Sequence, residues 1–201
     1  MEPLALVAAL GLFVTLVVRL RRAAAPRSQA IASLRPGWAE VRGRALASEA
    51  EAPLVVAPIS GRAGLAWRLV VEQEAGVRGW ETIIDRGECL DFRVEDDSGS
   101  ILVRASHSPL VLDVAEQRGR GGPFAPPPFA VERLIVRSAS PRGVLFHKSF
   151  RWREWVLGDG REVRVRARAV SETSEETLGY RKLGNTLVLA GGASRPIEVA
   201  E

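Results

Sequence analysis

The stretch Glu162-Val163-Arg164-Val165-Arg166-Ala167-Arg168-Ala169-Val170 alternates strictly between apolar or small and charged side chains. Successive side chains of a strand point to opposite faces. Val163, Val165, Ala167 and Ala169 therefore share one face, and Arg164, Arg166 and Arg168 the other. Working outward from this strand, the rest of the chain repeats the theme in shorter pieces. Glu40 to Ala47 alternates, with Val41 and Ala45 set against Arg42 and Arg44. Leu65 to Glu74 (LAWRLVVEQE) reads as a strand, and Leu54 to Ala57 is a short apolar run stopped by Pro58. Leu90 to Glu95 and Ser100 to Arg104 flank Asp96-Asp97-Ser98-Gly99, whose Asp and Gly supply a hairpin turn. Leu110 to Val114 follows, and Thr186 to Ala190 and Ile197 to Val199 flank the turn AGGAS, which suggests a last hairpin. Many short strands broken by Gly and Pro predict a barrel or sandwich.

Three segments depart from the β pattern. Phe129 to Ser138 places Ala130, Val131, Leu134 and Ile135 at helical spacing after a proline run, which predicts one short helix. Residues 117–128 (QRGRGGPFAPPP) read as a long mobile loop. Residues 23–36 (AAAPRSQAIASLRP) read as a juxtamembrane linker. The strands beginning Glu40-Val41-Arg42 and Glu162-Val163-Arg164 are alike, either as a duplicated strand or by coincidence in a chain rich in Arg and Val.

The first 22 residues have a different character. Pro3 to Val18 is uncharged and rich in Leu, Val and Ala, and Arg19, Arg21 and Arg22 close it. As a helix this run rises about 24 Å, against about 30 Å for a hydrocarbon core. Leu20 extends it, and Arg19 can snorkel to the headgroups. Glu2 precedes the run and the arginines follow it, the reverse of a secretory signal. The expected organisation is an anchor at 1–22, a linker at 23–36 and one β-rich domain at 37–199. By the positive-inside rule the domain faces the cytoplasm of a single-pass cell-membrane protein.

The formal charge of +4 and a pI near 10.1 suggest nucleic acid at first sight. The distribution argues against it. Setting aside Glu2 and the four arginines of residues 1–27 leaves 24 basic against 23 acidic side chains, a net of +1. The excess thus flanks the anchor, and no nucleic-acid partner is expected. Cys89 is the single cysteine, so no disulfide forms within the chain.

A convergent reactive set is not visible in the sequence. His107 and His147 are the only histidines, and neither has a Cys or His partner at metal-ligand spacing. No nucleophile elbow, phosphate-binding loop or His-Glu-x-x-His motif occurs. Asp96 and Asp97 read as turn residues rather than a cation site, and Cys89 as a packed thiol, since Glu88 and Asp91 raise its pKa. No catalytic residue, metal or cofactor is assigned. Arg164, Arg166 and Arg168 form a candidate stripe for anionic lipid or an acidic partner, at about 1 kcal/mol per residue at a membrane surface. Of the five tryptophans, Trp38 is the one placed for an interfacial position.

Several segments together resemble a known family. They are Ala57-Pro58-Ile59-Ser60-Gly61, Trp67-Arg68-Leu69-Val70-Val71-Glu72, Phe92 to Gly99 with Ile101-Leu102-Val103, and Trp152 to Gly160. In order and spacing they resemble the GIDE, or "beside a membrane", domain of the mitochondrial E3 ubiquitin ligase and NF-κB activator, a domain also found in prokaryotic membrane proteins. The resemblance implies a β-rich domain held next to a bilayer. It implies structural roles for Pro58, Gly61, Trp67, Asp97, Gly99, Glu154 and Gly158. Ligase chemistry does not carry over, because a RING finger needs eight Cys or His ligands and this chain has three such residues. No second apolar span follows Val199, Leu65 stands near an expected cysteine, and Ala167 stands where a glycine is usual.

These observations converge on a mainly β protein, with an N-terminal transmembrane helix followed by a β-barrel- or sandwich-like domain with one short helix. The expected function is non-catalytic, in protein interaction or membrane organisation, with membrane lipid and another membrane-associated protein as partners. A lipid- or ligand-sensing domain using the arginine stripe and the 117–128 loop is the second expectation. A hydrolase using His107 or His147 is the third.

Overall fold

A computed structural model describes residues 28–49, 53–122, 124–125, 128–138, 149–173, 185–192 and 195–201. In chain order its elements are β1 (Gly37–Ala47), β2 (Val55–Val56), β3 (Ala63–Gly64), β4 (Ala66–Glu74), β5 (Trp80–Cys89), β6 (Phe92–Asp96), β7 (Gly99–Arg104), β8 (Leu110–Asp113) and β9 (Glu116–Gly121). Helix α1 (Phe129–Ser138), β10 (Phe150–Leu157), β11 (Arg161–Thr173), β12 (Asn185–Ala190) and β13 (Ile197–Ala200) complete them. The anchor expected at 1–22 lies outside the described residues, among which no helix is long and apolar enough to cross a membrane.

The alternating strand is the hub of the fold. One edge of β11 pairs antiparallel with β1, Val165 opposite Val41, and its other edge pairs with β12 and β13. β1 continues onto β6, β6 onto β7, and β7 runs parallel to β12. The ring β1-β6-β7-β12-β11-β1 closes a five-stranded barrel. The order first-second-third-fifth-fourth, with third and fifth parallel, is that of an OB-type Greek-key barrel, a connectivity that by itself assigns no ligand. Few strands leave a narrow interior, and small side chains fill it. Val163, Val165, Ala167 and Ala169 are buried with Val41, Ala45, Phe92, Val94 and Val103. At Gly43, next to where β1 begins to pair with β6 on its other edge, a Cβ would lie 2.2 Å from the Glu95 carbonyl oxygen, so only glycine permits the approach.

The insertions of the barrel build a second, four-stranded antiparallel sheet, β5-β4-β10-β9. One face of it forms a second core. Leu69, Val71, Ile84, Phe150 and Trp152 pack against Val131 and Ile135 of α1, the helix expected from their spacing. The two sheets meet where the ends of β4 and β10 enter the barrel core: Leu65, Ala66 and Leu157 are buried in it, and Leu65 donates to the Leu157 carbonyl and Leu90 to the Leu65 carbonyl, at 2.8 and 2.9 Å.

Three sequence expectations need correction. The segment 117–128 is not a mobile loop throughout, because Glu116–Gly121 is a strand paired along its length with β10. The 23–36 linker is shorter than expected: Ile31 and Leu34 are buried in the barrel core, and Gln29 donates to the Glu40 carbonyl at 2.9 Å. Nor do β12 and β13 form a hairpin. Both run antiparallel to β11 and so parallel to each other, β13 pairing with β8 instead.

A candidate interaction surface on the second sheet

The candidate arginine stripe lies on the outside of the barrel, and its middle charge, Arg166, is neutralised. Arg166 hydrogen-bonds the buried carboxylate of Glu40 through Nε and lies 3.7 Å from Glu198. The two similar strands explain the pairing. In their antiparallel register Glu40 faces Arg166 and Arg44 faces Glu162, so in the shared Glu-Val-Arg-x-Arg pattern each glutamate meets the other strand's last arginine, while Arg42 and Arg164 face each other. Arg164 is half-buried and Arg168 exposed. Trp38, 38% exposed, lies beneath the Arg195 guanidinium at 5.0 Å.

The residues singled out by the family resemblance fall in separate places. Glu154 on β10 is 1% exposed. Its carboxylate accepts from the Ile59 and Ser60 amides at 2.8 and 2.9 Å, across about 95 residues of chain. It thereby holds the Pro58–Gly61 turn, in which Gly61 takes a left-handed φ of 68°. Asp96 accepts from the Ser98 and Gly99 amides with Oδ1, and from the Ile31 amide at 3.0 Å with Oδ2. The β6–β7 turn that holds Asp97 and Gly99 therefore also fastens the start of the domain. Burial pushes the Asp96 carboxyl up, but these bonds outweigh it and leave the pKa below the usual range. Trp67 is half-buried and lines a cavity of about 240 Å³ with Cys89, Ser106 and Ser108. Burial first, and then the Asp91 charge, push the Cys89 thiol up to about 12, so it is not a nucleophile at neutral pH. His107 is exposed in a turn, and His147 lies outside the described residues.

The strongest concentration of charge is elsewhere, on the face of the second sheet opposite α1. Register sets it out: Arg151 of β10 stands opposite Arg120 of β9, and Arg153 opposite Arg118. On the other side of β10, Arg151 faces Glu72 of β4. A groove of about 440 Å³ runs among these four arginines, Glu116 and Gly119. Arg151 donates two hydrogen bonds to Glu72 at 2.7 and 2.9 Å, and Arg153 adds a third contact at 3.5 Å. The bonds from Arg151 hold the Glu72 carboxyl below the usual carboxylate range. Arg151 also lies over Trp80 at 4.5 Å, and Arg153 over Trp155 at 5.4 Å. One carboxylate thus serves two arginines. Among the described residues Arg118, whose side chain is 80% exposed, reaches only Glu116, at 3.9 Å. The alternation of arginine and glycine in β9 has a steric cause. Gly119 stands opposite Trp152, and a Cβ there would meet the indole ring at 2.6 Å. Gly119 faces inward to admit the ring, and Arg118 and Arg120 on either side of it face out.

The sequence reading missed this face because glycine at inward positions hides the strand. The available signal was the two-residue period of Arg118-Gly119-Arg120-Gly121, the same period that marked β11.

The molecule is therefore a closed five-stranded barrel that carries a second sheet with an arginine- and tryptophan-bearing face. Comparison with protein-family models, curated proteins and solved structures finds no match to the chain.

Proposed function

We propose that this chain is a single-pass protein of the cell membrane that holds a non-catalytic β-rich domain beside the bilayer, for protein interaction or membrane organisation. The GIDE-like motif order supports the reading, without ligase chemistry. The observation that carries it is the shortness of the tether. The apolar run and its arginines end at Arg22, and the domain is already fastened at Gln29. Six residues lie between, about 20 Å at full extension. A span across the bilayer at residues 3–20 would thus keep the barrel against the headgroups, with its faces available to membrane neighbours.

The test is crosslinking and co-purification of tagged full-length protein from native membranes, with identification by mass spectrometry. A protein reproducibly enriched over an anchor-only control supports the reading. Saturable turnover of a small substrate by the purified chain, lost on replacing His107 or His147 without unfolding, would sink it in favour of a hydrolase.

A further inference from the structure

We infer that the turn after β9 and its two flanks form a membrane-docking wedge for anionic lipid. Residues 116–137 contain four arginines (Arg118, Arg120, Arg133 and Arg137) and two acids, Glu116 and Glu132, a net of +2. That exceeds the net of +1 for the whole chain from Ser28 onward. β9 ends in a tight turn in which Gly122 and Ala125 exchange backbone hydrogen bonds at 2.7 and 3.1 Å. The turn presents Phe124, whose side chain is fully exposed. Beyond it, Phe129 opens α1 and is 71% exposed, with the Arg133 guanidinium 5.7 Å over its ring. Val136, on the same outward side of the helix, is 60% exposed.

Each part has a physical counterpart in a lipid surface. Large aromatic side chains standing in water at a turn tip lose contact area for nothing unless an apolar medium receives them. The interfacial zone of a bilayer receives rings, and its phosphates receive guanidinium groups. The arginines sit on both sides of the tip. Arg118 and Arg120 occupy the sheet face away from α1, and Arg133 and Arg137 the outward side of α1. Among the described residues no carboxylate lies within ion-pair distance of Arg120, while Arg118, Arg151 and Arg153 each have one. A chain tethered by six residues brings such a bilayer within range; this part of the argument rests on the anchored reading.

The experiment uses the full-length chain with Cys89→Ser and Phe124→Cys, labelled at position 124 with an environment-sensitive fluorophore. The labelled protein is reconstituted into phosphatidylcholine vesicles, with or without phosphatidylglycerol. Headgroup-nitroxide lipid should quench the probe, and its emission should shift to the blue, when the anionic lipid is present. Each of Arg118→Ser and Arg120→Ser should lower the docked population about fivefold. A water-like probe in both vesicles, quenched by iodide throughout, overturns the inference. So does a probe shielded in native membranes but exposed in protein-free vesicles, which assigns the wedge to a protein partner. Alkaline carbonate extraction of the same samples separates the two claims. A retained chain with an exposed probe loses the wedge and keeps the anchor. An extracted chain with a quenched probe loses the anchor and keeps the wedge.

Discussion

Replacing Glu154 by glutamine tests how the Pro58–Gly61 turn is fastened to the second sheet. The carboxylate is 1% exposed and accepts one backbone amide on each oxygen, at 2.8 and 2.9 Å. A charge-assisted bond of this kind contributes about 1.5–3 kcal/mol. Glutamine has the same shape but one acceptor, so it keeps a neutral bond to one amide and turns an NH2 group toward the other. Losing one bond, weakening the second and leaving a buried donor unpaired should cost about 3 kcal/mol. Glu154→Ala, which orphans both amides and opens a void, should cost about 4–5 kcal/mol. For a domain of this size, 1 kcal/mol moves Tm by about 2–4 °C, so the glutamine variant should melt roughly 6–12 °C lower. Thermal and urea unfolding of the full chain in mild detergent, followed by tryptophan fluorescence, gives both quantities. A loss below about 0.5 kcal/mol for the glutamine variant would refute the reasoning, because the Pro58–Gly61 turn would then be holding itself.

Three further outcomes follow from the same geometry. Gly119→Ala should destabilise by about 1–3 kcal/mol, measured by urea unfolding, because its Cβ has no room against the Trp152 ring. Arg166→Ala should cost about 3 kcal/mol by leaving the buried Glu40 without its main partner, whereas Arg168→Ala should stay within about 0.5 kcal/mol. Cys89, with its thiol pKa raised from 9.0 to about 12, should resist alkylation by iodoacetamide at pH 8 until the domain is unfolded. Its contribution to stability is complete below pH 9 and is lost as pH climbs toward 12.

How much of this was legible depended on what each side chain had to do. β11 and α1 announced themselves because apolar residues mark the buried positions of both at a regular period, set in β11 against charged neighbours. The pairing of β1 with β11 left a weaker trace, the repeated Glu-Val-Arg, which gains meaning only once Glu40 is seen against Arg166. β9 was hidden because its inward residues are glycines, Gly119 making room for Trp152. Composition alone cannot distinguish such a strand from a flexible loop. Ile31 and Leu34 looked like stray apolar residues in a linker, since three-residue spacing over one turn is too short to read as a core element. The false last hairpin shows a different limit. Two strands around a glycine-rich turn form a hairpin only if the chain reverses between them, and here both run antiparallel to β11, one after the other along it, and so in the same direction. The arginine face itself was out of reach of any local reading, because it depends on the register of β9 and β4 on either side of β10.

The claim that the barrel stands against a membrane is tested most directly by a distance. A donor fluorophore at Ser28→Cys, in the Cys89→Ser background of the full-length chain, is reconstituted into vesicles carrying acceptor-labelled headgroups. The six-residue tether predicts a closest approach of about 20 Å or less. Transfer no greater than for a soluble control protein, or release of the chain by alkaline carbonate, would contradict it.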